Sequence, residues 1–414
     1  MEREMHMKAI AFQFSIPRYG LTLLLGSFLP SAYYGPLSCV QCVEMPEPQL
    51  LNDQWVKLKT RYAGICGSDI NLVRLHDSPS SSPYSSLPFI FGHENLGIIA
   101  QMGKAVQGLT VGQRVIADPL LPCPTRDLPQ WCAHCQQGEW PRCENIREGT
   151  PGVGFQLGNN IKVGGSWAPY YLAHPFQLFP VPDSVSDENA ILVDAFASAL
   201  HPVMRTRPQD DQTALVIGTG MMGLGVIAAL RATGFRGRLL AASKYPFQAE
   251  LARHYGADEI INARGDMYKV IAEMTGGTLH KPVLGKRVML GGGAHVVYEC
   301  VGTDDTVDDA LRLACPGGKI VLIGLIGETK KVDWTFVWLK ELTVVGTLCS
   351  STEEYAGERR RCYALILDWM AQGKIDLTPL LTHRFHLAEY KKALAMSFHK
   401  SQHRMVKAVF EFPA

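Results

Sequence analysis

The 414-residue chain carries almost no charge excess: 40 lysines and arginines stand against 39 aspartates and glutamates, a net charge of +1. That balance gives no electrostatic case for nucleic acid or an anionic membrane as a partner. Long hydrophobic runs are also missing. The most apolar stretch near the start, Leu21 to Leu29, is interrupted by Gly26 and Ser27 and stopped by Pro30, whereas a membrane span needs about 20 residues. A secretory leader fits poorly, because Glu2 and Glu4 occupy what would be its basic region. There is no internal repeat and no low-complexity tract; 39 glycines and 25 prolines are ordinary for a loop-rich enzyme. Eleven cysteines, an odd number in a long chain, exclude a small disulfide-stapled scaffold. Reduced thiols of this kind point to the cytoplasm.

What is present is enough to build a core. Hydrophobic residues make up 47% of the chain and charged residues 19%, and the length suits about two or three domains. Met7–Phe12 and Trp55–Tyr62 read as strands, as do runs between Ile98 and Val115. The first part is β-rich, with no long helical pattern. Residues 184–205 switch to helical spacing, with Ser186 and Asp187 as caps. Strands at 214–217, 238–242, 259–261, 295–298 and 319–323 then alternate with helices, which predicts an α/β domain with a parallel, doubly wound sheet. Residues 276–293 read as a loop insertion, and 341–346 as a strand that finishes the sheet or pairs across a dimer.

Gly218-Thr219-Gly220-Met221-Met222-Gly223 follows a short apolar strand and opens a helix, the context that a dinucleotide-binding turn requires. The first glycine permits the tight turn, the second lets a pyrophosphate approach the backbone, and the third lets helix and strand pack closely. About 20 residues on, the position that meets the adenosine ribose falls at Ser243, followed by Lys244. A carboxylate there would select NAD. Its absence, with a cation next door, favours NADP.

Cys66 lies in Gly-Ile-Cys-Gly-Ser-Asp, and His93 lies in Gly-His-Glu, 27 residues later. Four further cysteines, Cys123, Cys132, Cys135 and Cys143, suit a closed tetrahedral zinc site made of thiolates. Cys39 and Cys42 have no second pair nearby and read as ordinary thiols. Taken in order with the glycine-rich turn, these motifs resemble the zinc-dependent alcohol dehydrogenases of the medium-chain dehydrogenase/reductase superfamily. Within it, Glu94 and Asp194 resemble the polyol, threonine and formaldehyde dehydrogenase branches.

The resemblance implies a GroES-like catalytic domain at 1–194, completed by 347–414, around a Rossmann domain at 195–346. It implies two zincs per chain. Cys66, His93 and Asp194 would hold the catalytic one, with Glu94 beside the metal and able to coordinate it. Asp69 would accept from the His93 ring and fix its tautomer. Cys123, Cys132, Cys135 and Cys143 would hold a structural zinc, although the gap of eight residues after Cys123 is wider than the family pattern. Ser68 matches the hydroxyl that binds the substrate oxygen and starts the proton relay. Many relatives place a histidine where this chain has Asn71, so the proton outlet must differ. Val301 and Gly302 would sit near the nicotinamide ribose, and Ile323 and Gly324 near the ring.

The activity implied is hydride transfer between NADP or NAD and an alcohol/carbonyl pair, a secondary alcohol, polyol or related hydroxy compound, in a homodimer or homotetramer. Two alternatives remain open on sequence. One is a zinc-free quinone- or enoyl-type reductase of the same fold, which would lack both metal constellations. The other is a non-catalytic cofactor-binding member.

Overall fold

A computed structural model describes residues 6–413. The chain divides into two compact units. One takes the chain as far as Asp194 and again from Tyr363; the other is Ala195–Cys362. The return thus falls at Tyr363 and not at 347. The hairpin of Thr352–Tyr355 and Glu358–Arg361 stays with the second unit, where Glu353 meets the ring of His201 at 2.5 Å.

The first unit is built on a seven-stranded sheet. Its central strand, Val56–Ile65, lies between Lys407–Glu411 and Asn95–Met102, both antiparallel to it. Val56–Ile65 is buried along almost its whole length, although Lys57, Lys59, Thr60 and Arg61 interrupt its apolar residues. A smaller three-stranded sheet pairs His6–Phe12 with Val40–Pro46 and Phe89–Ile90. Between the sheets lies an aromatic core in which Trp167 stacks on Phe91 at 5.1 Å and meets Phe410 edge-on at 5.0 Å. The β-rich first part does contain one helix of some length, Ile16–Gly26, capped by Ser15 and carrying Pro17 in its first turn.

The second unit is a six-stranded parallel sheet. Its spatial order is Glu259–Asn262, Arg238–Ser243, Thr213–Ile217, Ala294–Glu299, Ala314–Leu322 and Thr343–Gly346. Numbered along the chain this is 3-2-1-4-5-6, the Rossmann order, with the topological switch beside Thr213–Ile217. The strands are short β-branched and aliphatic runs, as a sheet covered on both faces demands. Residues 276–293 are not a plain loop. Thr278–His280 and Val288–Leu290 pair as an antiparallel hairpin, with Met289 buried beneath it.

Candidate active site and metal centres

In the second unit the glycine-rich turn sits at the carboxyl end of Thr213–Ile217. Gly218 has φ +90°, a conformation that side chains other than glycine's rarely adopt. A Cβ at Gly223 would run into the Gly218 carbonyl, so the third glycine is what lets the helix Met221–Ala232 start so close to the strand. Met221 and Met222 form its first turn. The helix N-terminus therefore presents free N–H groups at the switch point, where a pyrophosphate is stabilised.

Val301 borders Gly218, and Gly302 lies against Gly324 so tightly that neither has room for a Cβ. The Glu299 carboxylate accepts from the N–H groups of Val301 (2.8 Å) and Gly302 (2.9 Å), while its carbonyl accepts from Ile323 and Gly324. Glu299 thus shapes the turn from beneath, and the four expected nicotinamide-side residues come together.

The ribose-recognition region differs in detail from the sequence reading. Ser243 is buried, and its hydroxyl accepts from Thr219 (2.6 Å) and donates to the Tyr245 carbonyl (3.2 Å). That hydroxyl braces the turn internally. The exposed cations beside it are Lys244 and Arg264, 5.9 and 5.3 Å from the centre of the Tyr245 ring. Neither has an acidic partner among the described residues. Arg264 follows the next strand, which pairs in parallel so that Asn262 stands opposite Ser243. Sequence reading missed it, because only the sheet register brings it beside Lys244.

In the first unit, Cys66 ends the central strand and caps the helix Gly67–Val73. The carboxylate of Asp69, three residues on, reaches back to the Cys66 N–H at 2.8 Å. His93 and Glu94 enter the neighbouring strand, whose Asn95 stands opposite Ala63. This register sets the two motifs side by side. Gly92 has φ +98°, and a Cβ there would strike Trp167, whose indole N–H donates to Gly64 O at 2.9 Å. Gly64 itself leaves the space that the Glu94 carboxylate fills.

Ligand atoms of Cys66, His93 and Glu94 lie within 4.8 Å of one another. Sulfur, imidazole nitrogen and carboxylate oxygen form a donor set that suits zinc. Both oxygens of the buried Glu94 carboxylate lie against the ammonium of Lys407, so the carboxylate stays an anion beside the sulfur and the imidazole. Asp69 Oδ1 stands 3.6 Å from His93 Nδ1, an electrostatic contact longer than a hydrogen bond. Burial works against a charged His93, but Asp69 and Cys66 hold it well above its ordinary value.

Asp194 lies outside the triad. It is buried, takes a hydrogen bond from the Tyr363 hydroxyl, and is lifted by burial to about 7 against the pull of His93. Ser68, half-buried, is in the first turn of the helix that Cys66 caps.

Two residues here had no sequence signal. Lys407 donates to Glu94 Oε1 from 313 positions away, and its charge holds the Glu94 carboxyl low in spite of burial. Tyr363 is 169 positions from Asp194.

The second cluster is closed. The four sulfurs of Cys123, Cys132, Cys135 and Cys143 lie within 4.8 Å of one another, with Cys123 and Cys143 at 3.6 Å. A zinc tetrahedron with arms of about 2.3 Å has edges of about 3.8 Å, so the thiols fit that ion. The wide gap after Cys123 still returns its sulfur to the group. Asn145 Nδ2 (3.3 Å) and the Cys132 N–H (3.4 Å) both donate to Cys123 Sγ. A hydrogen bond from Cys135 holds the Cys143 thiol down at about 5. His134 turns away to Glu139 at 2.7 Å.

A Rossmann unit and a GroES-like unit that carries a sulfur–nitrogen–oxygen triad and a four-thiol lobe define the class of zinc-binding, nicotinamide-linked dehydrogenases. Sequence comparison agrees: residues 52–183 match the alcohol dehydrogenase GroES-like domain, and residues 222–363 match the zinc-binding dehydrogenase domain. The chain belongs to the zinc-dependent medium-chain dehydrogenase/reductase family, on its polyol- and threonine-dehydrogenase-like side. It is 27% identical to L-idonate 5-dehydrogenase of Vitis vinifera over 81% of each chain. It is 28% identical to L-threonine 3-dehydrogenase of Chromobacterium violaceum over 86% of this chain and 92% of that one. The crystal structure of 2R,3R-butanediol dehydrogenase from Bacillus subtilis shares the fold, with a TM-score of 0.72 at 23% identity, over 98% of this chain and all of that one.

Proposed function

We propose that this enzyme oxidises secondary alcohols, polyols or related hydroxy compounds, and reduces the matching carbonyls, with NADP(H) preferred over NAD(H). Cys66 and His93, completed by the carboxylate of Glu94 or Asp194, would hold the catalytic zinc. When bound, that ion supplies Lewis acidity to the substrate oxygen, and the nicotinamide supplies or accepts the hydride.

The chain's own residues do the rest. Ser68 holds the substrate oxygen and takes its proton. Asn71 cannot titrate, so Glu94 with water would carry the proton onward, unless the ribose hydroxyls of a bound cofactor supplied that path. Asp69 orients His93 by charge. Lys407 keeps Glu94 ionised in a buried setting. Gly218, Gly220 and Gly223 seat the pyrophosphate, and Lys244 and Arg264 face the adenosine ribose. The lobe of Cys123, Cys132, Cys135 and Cys143 pins its loop and takes no part in the chemistry, since four thiolates leave no open position.

The observation that carries this reading is the convergence of the Cys66, His93 and Glu94 ligand atoms within 4.8 Å of one another. Metal analysis of the purified enzyme, with NADPH and NADH oxidation over a panel of ketones, hydroxyketones and ketoses, tests it. Two zincs per chain and turnover lost in Cys66→Ser are expected. Full turnover by Cys66→Ser would remove the assignment.

A homodimer or homotetramer in the cytoplasm completes the proposal. The oligomer is supported by the edge strand Thr343–Gly346 and the exposed Trp338 and Leu339 that precede it. The compartment is supported by the free state of all 11 cysteines.

A further inference from the structure

Arg126 is wholly buried, at 0% exposure, yet it has no carboxylate in ion-pair range among the described residues. Its donors go to main-chain carbonyls: Nε to Leu121 (2.6 Å), Nη1 to Glu148 (2.7 Å) and Gly152 (2.9 Å), and Nη2 to Gly154 (2.5 Å). Those bonds take four of its five N–H hydrogens but leave its charge uncancelled, and a buried charge without a counter-charge is costly.

The residue lies in the wide gap between Cys123 and Cys132 that sets this lobe apart. Its own N–H donates to the Cys123 carbonyl at 3.0 Å, and its carbonyl accepts from Thr150. The carbonyls it gathers belong to the turn around Cys123 and to the segment just after Cys143. After burial, the charges that act most on the guanidinium are the sulfurs of Cys143, Cys123 and Cys135, ahead of the Glu148 carboxylate. Four thiolates around a divalent zinc retain a net charge of −2.

We propose that Arg126 is the counter-cation of the four-thiolate site, held in the wide gap by four carbonyls so that its charge offsets that of the metal cluster. It is a positioning residue for the metal, not a catalytic one. The inference rests on the lobe being a zinc site, which the metal content of the native enzyme tests separately.

The test uses the full chain in a Cys66→Ser background, so that only the lobe zinc is followed. Zinc per chain, the rate of zinc transfer to a coloured chelator, and the pH midpoint of zinc release are measured for Arg126, Arg126→Lys and Arg126→Met. Removing a neighbouring positive charge makes thiolates easier to protonate. Arg126→Met is therefore expected to raise the release midpoint by about one pH unit and to speed transfer at pH 7 by about tenfold or more. Arg126→Lys keeps the charge and loses the fork, so its transfer is expected within about threefold of the parent.

A stapling role through carbonyl bonds alone predicts that Lys and Met are equally damaging. That outcome overturns the proposal, and so does a native midpoint in Arg126→Met. Should Arg126→Met fail to accumulate, Arg126→Lys decides alone. Transfer near the parental rate supports the charge role, and transfer tenfold faster refutes it. An absence of lobe zinc in the parent would instead refute the metal reading beneath it.

Discussion

Choice between NADP and NAD should rest on Lys244 and Arg264 together, and removing Arg264 is the sharper perturbation. Both side chains are exposed at the ends of adjacent parallel strands, 5.9 and 5.3 Å from the centre of the Tyr245 ring, with no acidic partner among the described residues. A 2′-phosphate there would gain a charge-assisted hydrogen bond from each. Such a bond is worth about 1.5–3 kcal/mol, and exposure to solvent favours the lower end. At about 1.4 kcal/mol per factor of ten, Arg264→Ala should raise KM for NADP(H) by about tenfold. KM for NAD(H) should move by less than about twofold, because its ribose hydroxyl carries no charge. The double variant with Lys244→Ala should approach about a hundredfold for NADP(H). Raising salt from 0.05 to about 0.5 M should narrow the NADP/NAD ratio of the parent and leave the double variant almost unaffected. Steady-state kinetics with both cofactors at saturating substrate measures all of this. Equal losses for the two cofactors, or none for either, would refute the reasoning.

Other outcomes follow from the same geometry. Lys407→Met leaves the Glu94 carboxylate buried without its cation and should cost about 3–5 kcal/mol, seen in calorimetry as earlier melting of the catalytic unit; Glu94→Gln added to it should recover part of the loss. Asp187 is half-buried, which pushes its carboxyl up, but hydrogen bonds from Arg114 (2.7 Å) and Arg61 (3.0 Å) win and hold it below its ordinary value. Its contribution is therefore complete above about pH 4 and disappears as pH falls through the lower folded value. Asp187→Asn should lose about 1.5–3 kcal/mol near pH 7 and show a flatter acid limb in a stability–pH profile. Treatment with a zinc chelator should strip one metal early, with activity, because a three-ligand site keeps an open face; the second zinc should leave only on acidification or unfolding, as metal analysis of timed samples would show.

Much of the plan was legible in the chain. The glycine-rich turn after Thr213–Ile217 announces the Rossmann unit because the phosphate turn leaves little freedom of residue choice. Cys66, His93 and Glu94 could be paired because each sits in a motif whose glycine has a geometric job: Gly64 makes space and Gly92 takes a positive φ. The hairpin in 276–293 was read as a loop, since its paired segments, Thr278–His280 and Val288–Leu290, are too short to show alternation. The helix Ile16–Gly26 escaped notice although Ser15 and Pro17 mark its start, because Gly20 and three successive leucines blur the helical period. Arg264, Lys407 and Tyr363 had no local signal at all. Each acquires its role only from a neighbour that the fold supplies.

The strand Lys407–Glu411 has a further meaning for how the molecule is made. It lies inside the large sheet, between Leu381–Phe385 and Val56–Ile65, and it brings the partner of Glu94. A ribosome reaches it only after the entire cofactor-binding unit has been synthesised. The nascent amino-terminal half must therefore wait with an open seam beside its middle strand. The buried pair of Glu94 and Lys407 is, in consequence, completed among the last events of folding.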